Sequence, residues 1–222
     1  MQRILEPELM DEFEQARAYA GADFAEPNER FVGYFENRFP ELGHGAVIDL
    51  GCGPGDIVLR LAQRHPGLTV HGLDGSRAML GFGAARLWDM HELQGRVQFI
   101  EGILPGAQLP LLCYDAVVSN SLLHHLHDPS VLWRSIPEIG RPGAAVLVMD
   151  LFRPVSAAAA RKIVETHAGG EPELLKRDFL NSLCAAFEPE EVRVQLRAHG
   201  LAHLEVETVS DRHLLVSGRL PG

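Results

Sequence analysis

The chain has 222 residues, 46% hydrophobic and 23% charged, which suits one compact domain with a sizeable core. A net charge of −10 with no basic cluster excludes a nucleic-acid partner, because such binding leans on Lys and Arg contacts to phosphates. Three unevenly spaced cysteines, no membrane-length apolar run and a charged first turn exclude a disulfide scaffold, a zinc ribbon, a membrane partner and an export signal, so a cytoplasmic protein is expected.

Residues 7–20 have helical spacing in Leu9, Met10, Phe13, Ala16 and Ala20, and 28–38 give a second helix with Phe31, Val32 and Phe35 on one face. An apolar strand over 46–50 then runs into Asp49-Leu-Gly51-Cys52-Gly53-Pro-Gly55-Asp56 and directly into a helix over 55–65. Glycines at alternate positions allow backbone angles and close approaches that a Cβ forbids, so the turn is suited to a nucleotide-type ligand lying against bare main chain at a helix mouth. A dinucleotide fingerprint, G-x-G-x-x-G, needs a third glycine where Asp56 stands. That disfavours a nicotinamide-dependent oxidoreductase.

A second strand, 68–73, leads to Asp74, which stands 23 positions after Gly51 and close to the ~20-residue offset at which a βαβ unit presents a carboxylate to ribose hydroxyls. The alternative for Asp74 is to cap the next helix, 76–90, a role open also to Ser76. Strands follow at 96–100 and 114–119, a helix at 128–139 and a strand at 144–151. This alternation predicts a parallel sheet with helices on both faces. Two further helices over 156–186, separated around residues 168–172, form an insert before a helix over 189–199, where Pro189 suits a first helical position. Strands over 201–208 and 211–217, joined at Ser210-Asp211, predict a closing hairpin.

The dense set of titratable groups is Ser119-Asn120-Ser-Leu-Leu-His124-His125-Leu-His127-Asp128, at the carboxyl end of the fourth strand, where open parallel sheets bind ligands. Histidine near its ordinary pKa can accept a proton at neutral pH, and adjacent side chains in an extended segment point apart. The competing reading is structural, with the histidines bonding a neighbouring loop. No metal site is expected, because three imidazoles and a carboxylate within five residues do not readily converge and no distant ligand motif joins them.

The D-x-G-x-G-x-G turn, the acidic end of the second strand, residues 96–104, the strand from Tyr114 to Ser119 and Arg141-Pro-Gly-Ala-Ala-Val-Leu-Val-Met-Asp150 together resemble the class I S-adenosylmethionine-dependent methyltransferases over roughly 45–152. The resemblance implies a Rossmann-like, doubly wound, mostly parallel seven-stranded α/β sheet with a C-terminal antiparallel hairpin strand. It divides a single domain, 1–222, into a helical lid (1–40), a cofactor-binding core (45–152), a helical insert (153–187) and a C-terminal helix and hairpin (188–222).

It also implies S-adenosyl-L-methionine as cofactor. Asp49 would orient the glycine loop or meet the cofactor's ammonium group, directly or through water; Asp74 would hold the ribose, and Gly51, Cys52, Gly53, Gly55, Gly75 and Ser76 would also contact the cofactor. Met79, with Leu80 or Phe82, and Gly102, Ile103 and Leu104 would border the adenine; Ile103 stands where the family often has an acidic residue. Ser119 and Asn120 would touch the methionine moiety, and Tyr19 or Tyr34 would reach the ligand from the N-terminal helices. His125, with His124 next to it, is the candidate base for methyl transfer to a small-molecule O, N, S or C acceptor. Arg153 and Arg177 are candidates for an acidic acceptor, with solvated surface arginine as the default. A non-catalytic S-adenosylmethionine-binding regulatory protein and a protein methyltransferase are the alternatives, and a homodimer is left open.

Overall fold

The computed structural model describes residues 1–7, 13–22, 24–111 and 113–222, and leaves the side chains of Phe13 and Gln15 undescribed. In chain order the elements are α1 (Phe13–Gly21), α2 (Ala25–Arg38), β1 (His44–Leu50), α3 (Asp56–Arg64), β2 (Gly67–Asp74), α4 (Arg77–Trp88) and β3 (Val97–Glu101). There follow β4 (Tyr114–Asn120), α5 (Ser130–Ile139), β5 (Gly140–Leu151), α6 (Ala157–Ala168), α7 (Glu173–Ala185), α8 (Pro189–Ala198), β6 (Glu205–Thr208) and β7 (His213–Arg219). The start of the expected helix over 7–20 falls largely on residues 8–12, outside the described residues.

The seven strands pair in the order β3-β2-β1-β4-β5-β7-β6. All pairs from β3 to β5 are parallel, while β7 runs antiparallel to both β5 and β6. The expected mixed α/β sheet is present. The winding reverses between β1 and β4, so the carboxyl ends of these two strands part and leave the crevice where such sheets bind ligands.

Alternation along the central strands explains the layers, since successive side chains point to opposite faces. On β5, Ala144, Val146 and Val148 join Trp133 and Ile136 of α5 and Val192 and Leu196 of α8. Ala145, Leu147 and Met149 join Phe31 and Phe35 of α2 and Ile57 and Leu61 of α3. The insert forms a smaller cluster of Ala160, Val164 and Leu183 against Leu151.

Trp133 is fully buried and its indole N–H donates to Gln195 Oε1 at 2.8 Å, so one side chain joins α5 to α8. Trp133→Ala is expected to lower unfolding free energy by about 3–5 kcal/mol through lost apolar contact and a residual cavity. Chemical denaturation checks this, and a loss under about 1 kcal/mol would show that the layer does not depend on it.

Local chemistry sets the helix starts. Ser76 Oγ accepts from Met79 N at 3.2 Å to cap α4, and Ser156 Oγ accepts from Ala159 N at 3.2 Å to cap α6. Glu188 and Glu191 form a reciprocal capping box around Pro189 at the start of α8.

Several boundaries differ from expectation, three of them for a visible local reason. β5 begins at Gly140, ahead of the predicted 144, because Gly140 pairs with Tyr114 and the register then skips to Ala145 opposite Ala116, carrying Pro142 past the ladder. The expected helix 76–90 stops at Trp88, with a short 3₁₀ turn at His91–Leu93. Residues 201–204 make turns rather than strand, since Leu201 N and Leu204 N bond back to Leu196 and Leu201.

Candidate active site

The carboxyl ends of β1 and β4 open into a cavity of about 630 Å³. Gly51, Gly53 and Gly55 have φ of 72°, 53° and 79°, the left-handed region that glycine takes without penalty. A Cβ on Gly51 would meet Leu122 at 2.8 Å and one on Gly55 would strike the Phe99 ring, whereas a Cβ on Gly53 would meet nothing within 4 Å. Two of the glycines therefore permit packing, and the third leaves bare main chain facing open space. Gly51, Cys52 and Gly53 line the cavity; Gly55 stands behind them at the cap of α3. Burial pushes the Cys52 thiol well up, with the Asp49 and Asp74 charges adding to it, so this cysteine is no nucleophile.

Asp49 lines the cavity at 1% exposure, and its Oδ1 has no hydrogen-bond partner. Burial, with the nearby Asp74 charge, raises its pKa well above the ordinary carboxylate value. A buried acceptor without a donor costs on the order of 1–3 kcal/mol, more for a charge, and a cation in the cavity removes that cost. Asp74 ends β2. Its Oδ2 accepts from Gly53 N and its Oδ1 from Ser76 N, both at 2.8 Å. One carboxylate thus ties the glycine turn to the cap of α4, and Ser76 itself supplies the side-chain cap. Burial raises the Asp74 pKa, opposed by its main-chain donors.

Asp56, the residue that departs from the dinucleotide pattern, lies at the mouth of α3 and makes paired bonds with Arg86, Oδ1 to Nη1 at 3.0 Å and Oδ2 to Nη2 at 3.2 Å. Arg86 also donates to the Pro54 carbonyl. The helix N-terminus that would seat a pyrophosphate already carries a carboxylate.

Gly75, Ser76 and Met79 border the cavity on the β2 side, and Gly102, Ile103 and Leu104 border it past β3. Leu80 belongs to the core under α2 and α3, and Phe82 is not part of the lining. Tyr19 comes from α1, with its ring 4.7 Å from that of Phe24; burial and the Asp56, Asp74 and Asp150 charges push its hydroxyl up to about 12, keeping it neutral. Tyr34 packs instead against the α2 and α3 core.

Asn120 at the end of β4 and His125 in the 3₁₀ turn that follows it reach the cavity. Ser119 and His124 do not. Ser119 Oγ donates to the Leu50 carbonyl at 2.8 Å, joining β4 to β1 where they diverge. His124 is 3% exposed, with Nδ1 2.5 Å from Asp150 Oδ1, while Asp150 Oδ2 accepts from Leu123 N. Burial opposes a charge on His124, but Asp150 more than offsets it and its pKa is raised. His125 is neutral: burial and the neighbouring His124 lower its pKa to about 3.

Sequence reasoning missed the first seven residues. Arg3 donates from Nη2 to the carbonyls of His124 and Leu126 at 3.0 Å and lies 3.8 Å above the Phe187 ring. Ile4 N donates to Cys184 O at 3.0 Å, and His127 Nε2 to Glu6 O at 2.8 Å. Glu6 is thereby lowered beside both histidines, and Pro7 lines the cavity. No local pattern announces this strap, because its partners lie more than a hundred residues away. Asn28 was also missed; it shares a bond with Asn120 at 3.4 Å and lines the cavity. Arg153 corrects both readings made of it: 6% exposed, it donates to Ala186 O and to Glu188 and Glu191, pinning the end of β5 to α8. Arg177 pairs at the surface with Asp178.

Comparison with known proteins points to a methyltransferase domain. A family model described as a methyltransferase domain matches residues 48–146. The trans-aconitate 2-methyltransferase of Deinococcus radiodurans is 33% identical over 64% of this chain and 47% of its own length. The ubiquinone biosynthesis O-methyltransferase of Citrobacter koseri is 30% identical over 55% and 49%. This chain thus spans about half the length of those two relatives, against 77% of an uncharacterised methyltransferase of Mycobacterium bovis, 27% identical over 71% of this chain. These likenesses support a class I S-adenosylmethionine-dependent methyltransferase. The fold of a putative S-adenosylmethionine-dependent methyltransferase from Methanococcus maripaludis superposes with a TM-score of 0.75 at 18% identity, covering 99% of this methyltransferase and 98% of that chain. The oxidoreductase alternative is set aside. Among the described residues of this methyltransferase no helix is long and apolar enough to cross a membrane.

Proposed function

We propose that this methyltransferase binds S-adenosylmethionine in the cavity beyond β1 and β4 and transfers its methyl group by in-line displacement to a small-molecule O, N, S or C acceptor. The observation that carries the reading is the buried Asp49 carboxylate, unpartnered at Oδ1 and facing a cavity walled by bare glycine main chain. The cofactor supplies an electrophilic methyl on a sulfonium, an ammonium group and ribose hydroxyls. Asp49 is suited to the ammonium and Asp74 to the ribose, with Gly75, Ser76 and Met79 beside it; Gly102, Ile103 and Leu104 are suited to the adenine. Asn120 and Tyr19 would close on the ligand from opposite sides, while Ser119 and Gly55 act through the backbone they hold.

Most of the rate enhancement available to such a site comes from aligning two reactants and excluding water, about 7–11 kcal/mol in well-oriented cases. Pro7, Tyr19 and Phe24 supply that cover. Methyl transfer to a neutral hydroxyl leaves a strongly acidic oxonium, so even a weak base suffices to take its proton. His125, neutral and at the cavity wall, is assigned that role, with Glu6 and the His124–Asp150 pair behind it. The small-molecule class of acceptor is supported by relatives named for trans-aconitate and ubiquinone biosynthesis.

Binding of S-adenosylhomocysteine by calorimetry, followed by a screen of small molecules with labelled methyl donor, tests the proposal; no binding at millimolar ligand would end it. His125→Ala is expected to reduce turnover on the order of a hundredfold, the lower range for a general base, while leaving cofactor affinity unchanged. Full activity in that variant would remove the base assignment.

A further inference from the structure

We propose that Glu6, His124 and His125 form a binding site for a divalent transition-metal ion, zinc being the best match to two imidazoles and a carboxylate. Glu6 Oε1 lies 3.3 Å from His125 Nδ1 and 3.5 Å from His124 Nε2, and all three atoms lie within 4.8 Å of one another. Tetrahedral zinc, with bonds of ~2.0–2.1 Å to N and O, sets neighbouring ligand atoms about 3.3–3.4 Å apart. Two of the three separations therefore already have metal-site length.

Both imidazoles have their far nitrogen occupied. His124 Nδ1 faces Asp150 Oδ1 at 2.5 Å, and the other Asp150 oxygen accepts from Leu123 N, so Nδ1 carries the proton and Nε2 faces Glu6. His125 bonds the Pro7 main chain. Proline has no N–H, so its carbonyl is the acceptor and a ring N–H the donor. His125 Nδ1 is buried with no hydrogen-bond partner, which leaves Nε2 as that donor and turns the Nδ1 lone pair toward Glu6. A carboxylate behind one imidazole and a carbonyl behind the other are the outer partners that metal-bound histidines carry. Glu6 Oε1 is likewise buried and without a hydrogen-bond partner, on a side chain only 9% exposed. A proton between these atoms satisfies one pair; a metal cation satisfies all three and displaces that proton.

Three protein ligands leave a fourth position, as in catalytic rather than structural zinc sites. The third ligand also explains why spacing alone hides the site. His124 and His125 are adjacent, and Glu6 arrives from 118 residues upstream on the N-terminal strap. An ion there would fasten the strap, and with it Pro7, over the cavity, and would take up the Nδ1 lone pair, so the base role of His125 belongs to the metal-free protein. The inference does not rest on methyl transfer, since metal content is measured without cofactor.

The test uses full-length, tag-free protein stripped with a chelator and titrated with zinc, then with cobalt(II) as a spectroscopic probe. The expected result is one equivalent bound, with the intense visible bands of four-coordinate cobalt. Glu6→Gln should weaken binding at least tenfold, whereas Ser182→Ala, which removes only a 3.4 Å bond to the other Glu6 oxygen, should retain it. Circular dichroism confirms that both variants are folded. Absence of stoichiometric binding in the wild-type protein, or unchanged affinity in folded Glu6→Gln, overturns the site; a failed methyl-donor screen leaves it standing.

Discussion

Asp49→Asn is expected to give a protein that is more stable when empty and that binds S-adenosylhomocysteine about 1.5–3 kcal/mol more weakly, the worth of a hydrogen bond to a charged group. The carboxylate is 1% exposed and its Oδ1 has no partner, so the folded, ligand-free chain bears a desolvation cost that an amide reduces. The pH dependence has a definite sign. Burial raises the folded-state pKa above 3.8, so in the window above that value the native state holds a proton that the unfolded chain has released. Wild-type stability therefore falls as pH rises through this window, and the Asn variant lacks that loss. Cofactor affinity should show the opposite slope, rising as Asp49 ionises. Thermal unfolding and calorimetry at several pH values check both; equal affinity in the variant would show that this carboxylate does not meet the ligand's ammonium.

Asp74→Ala is expected to weaken cofactor binding by about 1–3 kcal/mol. Two effects add. The ribose loses its acceptor, and Gly53 N and Ser76 N lose theirs, so the turn that lines the cavity is no longer tied to the start of α4. Asp74→Asn separates the two, because the amide oxygen still accepts from one main-chain N–H while the charge is gone. An affinity in Asp74→Asn near the alanine value would assign the loss to the charge and the second acceptor. Unchanged calorimetric affinity in Asp74→Ala would contradict the ribose assignment.

Much of the architecture was legible locally. The strand–glycine–helix turn at 47–56, the carboxylate 23 positions on, and the apolar strands between them are short-range patterns, and chain order then dictates where the sheet reverses. Asp74 and Ser76 illustrate the limit of such reading. The sequence offered ribose contact or helix capping as alternatives, and the fold uses Ser76 for the side-chain cap while Asp74 bonds main chain on both sides.

By itself the sequence determined the mixed α/β sheet, the place of the ligand crevice and the bar to a pyrophosphate at the mouth of α3, because each follows from residues within one turn or one βαβ unit. Only the tertiary structure decided which histidine meets the cavity, that Arg153 is an internal brace, and that residues 1–7 close over the site with Glu6 between two imidazoles. Those outcomes depend on contacts between segments up to 182 residues apart, as in the bond from Arg3 to Ala185, and periodicity carries no information about which distant donor finds which acceptor.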